Sequence, residues 1–259
     1  MSRTFGAIII GDEILSGKRQ DKHFAKVVEL LAVRGLKLAW ARYLGDERPR
    51  LVQNLRETFA CDDVVFSCGG IGATPDDHTR QAAAEALEVP LRLNPQARDL
   101  IAQHMAEIGQ PLTPERLRMG ELPEGAELIP NPYNRIPGFS LGRHHFVPGF
   151  PVMAWPMIEW VLDTHYRELF GGGVEGERGM LVTGLNEGTL TPLMDVVERE
   201  FPGIRVWSLP RIDPEQRFRY EIDLGVKGPA DLVEPAFARL KSGVLELGGE
   251  VAGEISDQT

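Results

Sequence analysis

The chain has 259 residues, of which 42% are hydrophobic and 25% are charged, and this composition is typical of a globular protein rather than a disordered or fibrous one. The formal net charge of −10 disfavours binding to nucleic acid or to an anionic membrane, so an anionic ligand would need a metal ion or a local basic patch. The two cysteines, the short N-terminal apolar run and the lack of any window of about 20 apolar residues predict a cytoplasmic protein without a membrane span.

Predicted strands and helices alternate in the first part of the chain. "TFGAIII" predicts a buried strand, and "DKHFAKVVELLAVRGL" predicts a helix with Phe24, Val27, Val28 and Leu31 on its buried face. "LKLAWARYL" and "DDVVFSC" predict two more strands, and "ERPRLVQNLRETFA" and "DDHTRQAAAEAL" predict the helices that follow them. This alternation predicts a parallel sheet with helices on both faces, which is a three-layer, doubly wound α/β fold.

Beyond residue 94 the pattern is less regular. "PQARDLIAQHM" and "MAWPMIEWVLDTHYRELF" predict helices, and the segment between them predicts short strands broken by proline and glycine turns. "GGGVEGERG" is typical of a linker, and a β-α-β-β-α pattern follows it. We therefore predict a first domain over residues 1–170, a linker over 171–179 and a small α+β domain over 180–259.

Acidic loops follow the first three predicted strands: "GDE" with Asp12 and Glu13, "LGDE" with Asp46, and "GGIGATPDD" with Asp76 and Asp77. Because open α/β sheets bind ligands at the carboxyl ends of their strands, we expect these side chains to converge at one edge. An aspartate after a strand also often caps the next helix, so each loop taken alone has a purely structural explanation. Three acidic loops at one edge would repel each other unless a cation lay between them.

The glycines of the third loop offer a second indication. Gly69, Gly70 and Gly72 would let backbone N–H groups approach a phosphate closely, although a plain tight turn also needs glycine. The loop matches neither the Walker motif nor the dinucleotide fingerprint. Mg²⁺ prefers one or two carboxylates together with phosphate and water oxygens. The pattern therefore favours a phosphate-bearing ligand and a divalent metal ion, Mg²⁺ first, with Mn²⁺ or Co²⁺ as alternatives.

These motifs, in this order, resemble the MoaB/Mog fold of molybdenum-cofactor biosynthesis. The chain is most similar to the N-terminal part of the competence/damage-inducible protein A family, in its standalone form without the amidase domain. "NPYNRIPGF" and "VPGFP" resemble that family's second pair of ligand loops, and the tail after Gly179 resembles its small KH-like domain. The resemblance implies that the protein binds molybdopterin, or hydrolyses the pyrophosphate bond of a nucleotide such as ADP-ribose or FAD with a divalent metal.

The resemblance also implies a role for individual positions. The implied catalytic residues are Asp77, Asp46 and Asp12, of which Asp77 and Asp46 would ligate the metal. The implied ligand-binding and phosphate-binding residues are Gly69, Gly70, Gly72, Thr74, Asp76, Glu13, Pro148, Gly149 and Pro151.

The chain departs from the family pattern at two places. Asn134 stands where the family commonly has glycine, and Val152, Met153 and Ala154 follow Pro151 where it usually has a Glu-Met pair. Two functions therefore remain open. One is a metal-dependent pyrophosphohydrolase, and the other is a non-catalytic molybdopterin or nucleotide binder in cofactor or nucleotide metabolism.

Further features limit the partners. His144 and His145 are adjacent on a predicted strand and point to opposite faces, so they favour a structural or surface role over one shared metal. The KH-like tail lacks a Gly-x-x-Gly loop, which argues against RNA binding. Exposed strand edges of such a small unit favour packing against a partner, and we predict a homo-oligomer.

Overall fold

The computed structural model describes residues 3–171, 175–211 and 221–256, and the chain divides into two compact units between Phe170 and Gly171. None of the described helices combines the length and the apolar character needed to cross a membrane. In chain order the elements of the first unit are β1 (Phe5–Ile10), α1 (Asp12–Leu15), α2 (His23–Ala32), β2 (Leu38–Leu44), α3 (Arg48–Phe59), β3 (Val64–Cys68), α4 (Thr79–Ala86), β4 (Leu91–Leu93), α5 (Pro95–Glu107), α6 (Pro114–Leu117), β5 (Glu121–Pro123), β6 (Glu127–Ile129), β7 (Gly138–Leu141), β8 (His144–Val147) and α7 (Pro151–His165), with 3₁₀ turns at Arg118–Gly120 and Arg167–Leu169.

A six-stranded sheet in the order β2-β1-β3-β8-β7-β6 forms the middle layer of this unit. β1 pairs in parallel with β2 and β3, and β3 pairs in parallel with β8. β7 runs antiparallel to β8, because the two-residue connection between them can only reverse the chain direction, and it also runs antiparallel to β6. The sheet is therefore mostly parallel, which confirms the predicted α/β class.

Helices cover both faces of the sheet. Phe5 and Ala7 of β1 pack into a core with α2 and α7 on one face. Ile8 and Ile10 of the same strand pack with α3 and α4 on the other. Every residue of β1 is buried, which explains why its sequence is a continuous apolar run rather than an alternating one.

The buried face of α2 differs from the prediction at two positions. Phe24 and Val28 are 42% and 39% exposed, and His23 and Leu30 are buried instead. The ring Nε2 of His23 bonds the carbonyl oxygen of Gly149 at 3.1 Å, and this contact holds the first turn of α2 against the loop after β8.

The connections after β1 and β3 leave the sheet toward opposite faces. β1 leads to α2 on one face, whereas β3 leads to α4 on the other, although the two strands are neighbours. In open α/β sheets such a divergence opens a crevice at the carboxyl ends of the strands, and ligands bind there.

The second unit is an antiparallel sheet with two helices. Its elements are β9 (Glu175–Thr183), α8 (Glu187–Glu200), β10 (Arg205–Arg211), β11 (Glu221–Pro229), α9 (Ala230–Glu246) and β12 (Glu250–Ser256). The strand order is β10-β11-β9-β12, and both helices contribute to one core with the sheet. The predicted α+β class is confirmed, but the predicted β-α-β-β-α pattern lacks the final strand. The complete β-α-β-β-α-β order is that of a ferredoxin-like unit.

The segment 171–179 is only partly a connection. Strand β9 occupies residues 175–179 of it, and residues 172–174 lie outside the described part of the chain. A Cβ on Gly179 would lie 3.0 Å from the indole of Trp207, so glycine makes room there for a neighbouring ring. The glycine content that predicts a linker therefore arises, at this position, from close packing within a strand.

Candidate functional site

A cavity of about 420 Å³ opens at the carboxyl ends of β1, β2 and β3, where the connections diverge. The predicted site residues that line it are Glu13, Asp46, Gly69, Gly70, Gly72, Thr74, Asp76, Asp77, Pro148 and Gly149. The three acidic loops therefore converge as the alternation of strands and helices predicts.

Two predicted site residues lie outside this lining. Pro151 begins α7 and lines a neighbouring cavity instead. Asp12 and Asp46 exchange hydrogen bonds. The N–H of Asp12 donates to Oδ2 of Asp46 at 2.9 Å, and the N–H of Asp46 donates to Oδ1 of Asp12 at 3.3 Å. Asp12 therefore supports Asp46, which lines the cavity, and does not line the cavity itself.

The turn after β3 needs glycine for two separate reasons. Gly69 and Gly70 have φ angles of 113° and 68°, which side chains rarely adopt. In addition, a Cβ on Gly70 would overlap Oγ1 of Thr79. Thr79 ties the turn to the start of α4, because its N–H donates to the Gly70 carbonyl at 3.0 Å and its hydroxyl donates to the Gly69 carbonyl at 3.1 Å.

The loop presents unused backbone donors to the cavity. The N–H of Gly69 donates to Val147 at 3.0 Å, and that of Thr74 donates to Oδ2 of Asp77 at 2.8 Å, so these two groups are already engaged. The N–H groups of residues 70–73 have no acceptor within the described ranges, and all four residues line the cavity. Unpaired N–H groups in a concave loop are what an anion binds.

Asp77 closes the loop and does not cap α4. Its Oδ2 accepts hydrogen bonds from the N–H and the hydroxyl of Thr74, and its own N–H donates to the Thr74 carbonyl at 3.1 Å. The N-cap of α4 is His78, whose side chain makes no capping hydrogen bond. The helix-cap explanation is therefore wrong for Asp77, whose Oδ1 accepts nothing from the described residues.

Carboxylates crowd around Asp46. Burial is the largest cause that raises the pKa of Asp46, and the negative charges of Asp12, Glu13 and Asp76 raise it further. The hydrogen bond from the Asp12 backbone opposes this shift. A cation between these groups would relieve the repulsion.

The carboxylates of the cavity suit a metal ion that is bound together with a phosphate ligand, and they do not suit a metal ion held by protein side chains alone. Within the described ranges, no group of three or more His, Cys, Asp and Glu side chains is arranged to hold a metal ion. Oδ1 of Asp46 and Oδ1 of Asp77 accept no hydrogen bond from those residues. Since Mg²⁺ commonly takes one or two carboxylates with phosphate and water oxygens, the cavity fits a Mg²⁺ ion that enters with a phosphate, and it does not fit an ion held by protein alone.

Sequence reasoning missed a buried arginine behind the loop. Arg80 is 2% exposed, and its guanidinium donates to the carbonyl oxygens of Gly72 and Glu121. Burial lowers the pKa of Arg80, while the nearby charge of Asp77 raises it. One feature of the sequence could have indicated this residue: Arg80 is a charged residue at the start of the alanine-rich helix α4. The buried residues of α4 are Thr79, Arg80, Ala82, Ala83 and Ala84.

Two amides and a thioether also line the cavity. Asn131 is 4% exposed, and its Nδ2 donates to Oδ1 of Asn134 at 2.8 Å and to the Ile136 carbonyl at 3.0 Å. Nδ2 of Asn134 in turn lies 3.5 Å from the sulfur of Met153. Asn134 and Met153, which both depart from the resembled pattern, are therefore in contact within the cavity wall.

Comparison with known proteins gives a consistent result. Residues 6–167 match a family model described as "Probable molybdopterin binding domain". A protein of Caldivirga maquilingensis is 29% identical over 246 residues, which are 93% of either chain. A CinA-like protein of an Anaeromyxobacter species is 34% identical over 219 residues, which are 77% of this chain but 53% of that protein, so the chain spans about half of that relative's length.

A solved structure shows the same fold. It is the crystal structure of the protein CinA with unknown function from Thermoplasma acidophilum, with a TM-score of 0.57 and 24% sequence identity. The likeness covers 65% of this chain and 99% of that one.

Proposed function

This chain belongs to the family of probable molybdopterin binding domains, and we propose that its cavity binds a phosphate-bearing ligand and hydrolyses the pyrophosphate bond of a dinucleotide such as ADP-ribose or FAD. One observation carries the proposal. The free N–H groups of residues 70–73, which suit an anion, line the same cavity as Asp46 and Asp77, whose free carboxylate oxygens suit a divalent cation. A ligand that combines phosphates with Mg²⁺ satisfies both sets of groups.

In the proposed reaction, the oxygen of a water molecule forms a bond to one phosphorus as the bridging P–O bond breaks. ADP-ribose would yield AMP and ribose 5-phosphate. The bridging oxygen stays on the leaving phosphate, and near neutral pH both hydrogens of the water are released as protons. The N–H groups of residues 70–73 would stabilise the charge that develops on the phosphoryl oxygens. Asp46 and Asp77 would hold the metal or orient the water, and the bound metal would neutralise phosphate charge. Arg80 would keep the Gly72 carbonyl turned away from the anion.

Turnover tests this proposal directly. Purified protein is incubated with ADP-ribose or FAD and with Mg²⁺, Mn²⁺ or Co²⁺, and AMP is measured by chromatography. We expect AMP with at least one metal, none in EDTA, and a large loss in Asp46→Ala. Asp99→Ala, which removes an exposed aspartate of α5, is the matched control and should keep full activity. Release of AMP no faster than in buffer with every metal would reject the hydrolase.

The contact between Asn134 and Met153 favours a second candidate, a non-catalytic pterin or nucleotide binder. At these two positions the cavity is lined by an amide and a thioether, and the resembled family usually has an acid there. Thermal-shift measurements combined with recovery of the ligand separate the two candidates. A bound ligand at 100 times its Kd stabilises the protein by about 2.7 kcal/mol, and only the hydrolase consumes that ligand. Stabilisation by ADP-ribose with intact ADP-ribose recovered afterwards would select the binder.

The homo-oligomer stays a prediction. β10 and β12 are the edge strands of the second unit's sheet, and such edges are available for pairing with another copy. Light scattering at several protein concentrations gives the oligomeric state.

A further inference from the structure

A separate cavity, of about 190 Å³, lies at the opposite end of the parallel strands from the acidic loops. Arg3 precedes β1 and Arg143 precedes β8, and both strands run from this end toward the site described above. The lining residues are Arg3, Glu127, Ser140, Gly142, Arg143, His145, His165 and Tyr166. None of them lines the cavity of the proposed function, so a ligand bound here would occupy an independent site.

A buried chain of three polar side chains belongs to this lining. Nδ1 of His145 lies 2.8 Å from the hydroxyl oxygen of Ser140, and its Nε2 lies 2.8 Å from the hydroxyl oxygen of Tyr166. Ser140, His145 and Tyr166 are 5%, 2% and 4% exposed. Burial lowers the pKa of His145 to about 3, so near neutral pH the ring is uncharged, with one N–H donor and one bare nitrogen that accepts.

This chain holds one polar hydrogen more than its own hydrogen bonds use. In either tautomer of His145, the ring N–H donates to one hydroxyl oxygen and the other hydroxyl donates to the bare nitrogen. The hydroxyl that receives the ring N–H keeps its own hydrogen, for which the described residues offer no acceptor. A buried donor of this kind costs about 1–3 kcal/mol until an acceptor reaches it. Ser140 and Tyr166 both line the cavity, so an acceptor bound there can take this hydrogen.

The side chains around the polar chain are mainly cationic or hydrogen-bond donors. Burial raises the pKa of Tyr166 to about 12, and the positive charges of Arg3 and Arg143 oppose this rise, so both guanidinium groups act on its hydroxyl. The ring of His165 lies nearly parallel to that of His145, with 6.3 Å between the centroids, and it forms no hydrogen bond within the described ranges. In a chain whose net charge is −10, this cavity is a local basic patch.

The ion pairs of the two arginines leave most of their donors free. One guanidinium nitrogen of Arg143 bonds the almost fully exposed carboxylate of Asp62, and one of Arg3 lies 3.8 Å from the carboxylate of Glu168. Exposed pairs of this kind contribute little to stability, and a guanidinium has five N–H donors. Both arginines can therefore donate to an anion in the cavity as well.

The same arrangement resembles a serine nucleophile with its base. Ser140 and His145 are within hydrogen-bond reach, and Tyr166 orients the ring as a third group would. A general base works best when its pKa is close to the working pH, whereas burial holds the pKa of His145 at about 3. His145 is therefore a poor base, and the arrangement favours binding over nucleophilic catalysis.

Glu127 determines which anion fits. It is exposed, and its carboxylate has no hydrogen bond or ion pair within the described part of the chain, so it is a free acceptor in a basic cavity. A carboxylate repels a fully deprotonated anion but accepts a hydrogen bond from an anion that carries a hydrogen. Inorganic phosphate carries a P–OH hydrogen at neutral and mildly alkaline pH, and sulfate carries none.

We propose that this cavity binds inorganic phosphate and discriminates against sulfate. The free hydroxyl hydrogen of Ser140 or Tyr166 donates to one phosphate oxygen, and the P–OH group donates to Glu127. Arg3, Arg143 and a ring N–H of His165 donate to the remaining oxygens. Cavities for drug-sized organic molecules measure about 300–1,000 Å³, so the smaller volume here suits a free ion.

NMR spectroscopy of the ¹⁵N-labelled protein tests the site directly. The protein is titrated with phosphate, sulfate or glycerol phosphate at pH 8 and constant ionic strength, in EDTA, which removes the divalent cation that the site of the proposed function needs. We expect saturable shifts of the amide signals of Gly142, Arg143 and Tyr166 with phosphate, and at least tenfold weaker affinity for sulfate. Glycerol phosphate, a monoester whose second pKa of about 6 leaves no P–OH hydrogen at pH 8, should bind no better than sulfate.

Three variants assign the groups. Arg143→Gln removes one cation and should weaken phosphate about tenfold. Arg239→Gln breaks a similarly exposed ion pair in the second unit and should leave the affinity unchanged. Glu127→Gln replaces a carboxylate that only accepts by an amide that also donates, so it should abolish the preference for phosphate over sulfate.

The outcomes bear on this cavity alone. The absence of saturable shifts at residues 142, 143 and 166, or phosphate shifts confined to residues 70–73, would overturn the site and leave the proposed function standing. Equal affinities of the wild type for phosphate and glycerol phosphate, or an undiminished preference for phosphate in Glu127→Gln, would overturn the assignment to inorganic phosphate. The substituted side chains are exposed or half-buried, so loss of the fold does not obscure the result.

Discussion

Asp12 and Asp46 hold each other's loops in place, because each backbone N–H donates to the other's carboxylate, at 2.9 and 3.3 Å. This pair joins the connection after β1 to the connection after β2 and thereby positions Asp46 at the cavity. Asp12→Ala removes one acceptor and should lower the free energy of unfolding by about 1 kcal/mol. Asp12→Asn keeps Oδ1 and should cost much less. Urea denaturation measures both, and equal losses for the two variants would show that the reciprocal bonds do not stabilise the loops.

A pair of glycine variants separates backbone strain from lack of space. Gly70 and Gly109 have similar φ angles, 68° and 64°, but a Cβ on Gly109 meets nothing within 4 Å, whereas one on Gly70 overlaps Thr79. Gly109→Ala should therefore cost about 1 kcal/mol of stability, and Gly70→Ala about 2 kcal/mol or more. Only Gly70→Ala should also abolish phosphate binding, because it moves the N–H groups of residues 70–73. Wild-type ligand affinity in Gly70→Ala would show that the loop of residues 70–73 does not bind the phosphate.

Asp77→Asn tests the metal role without disturbing the loop. The amide oxygen of the substituted side chain can still accept from Thr74, so the midpoint of thermal unfolding should stay within a few degrees of the wild type. The carboxylate charge is lost, and affinity for a methylene-bridged ADP analogue in Mg²⁺ should fall tenfold or more, a magnitude typical of metal-site substitutions. Calorimetry with and without Mg²⁺ gives this value. An unchanged Mg²⁺ dependence would leave Asp77 with the loop-closing role alone.

Two buried histidines make the stability of the first unit depend on pH. Nε2 of His144 lies 2.9 Å from the Thr58 hydroxyl, and His145 lies between Ser140 and Tyr166, with both distances 2.8 Å. Burial lowers the pKa of His144 to about 4 and that of His145 to about 3, from an ordinary value of 6.5. Below pH 6.5 the unfolded chain takes up protons that the folded chain does not, so the free energy of unfolding should fall as the pH falls toward 4.

His144→Gln isolates the contribution of one histidine. Glutamine can still bond the Thr58 hydroxyl but does not titrate, so between pH 7 and pH 5 the variant should lose roughly 2 kcal/mol less stability than the wild type. His104→Gln, a half-buried histidine of α5, is the control. Urea denaturation at the two pH values gives the difference, and identical losses in His144→Gln and the wild type would show that His144 is not held neutral.

The sequence predicts the convergence of the acidic loops because that feature follows from local patterns. Alternating apolar runs set the parallel strands, and parallel strands place their following loops at one edge. Which backbone donors stay free depends on a distant strand, because the N–H of Gly69 is taken up by Val147 of β8. The role of Asp77 depends on which way its carboxylate turns, and neither spacing nor composition carries that information.

The sequence pattern predicts neither strand β12 nor the burial of Arg80, and the physical reasons differ. Strand β12 contains two glutamates and a glycine, and an irregularity between Val251 and Gly253 interrupts the two-residue alternation that identifies a strand. Arg80 is charged and yet buried, which composition rules disfavour, and the carbonyl oxygens of Gly72 and Glu121, together with the negative charge of Asp77, offset the cost of burying it.

We propose that the loop of residues 70–73 and the carboxylates of Asp46 and Asp77 form one site for a phosphate ligand together with a divalent cation. Calorimetry tests this with a methylene-bridged ADP-ribose analogue, in which CH₂ replaces the bridging oxygen so that the ligand is not hydrolysed. The affinity of the wild-type protein for it is measured in Mg²⁺ and again in EDTA. We predict binding in Mg²⁺ that weakens tenfold or more in EDTA, a change of about 1.4 kcal/mol or more. No binding under either condition, or equal affinity in both, would show that the cavity does not bind a phosphate ligand and a divalent cation together.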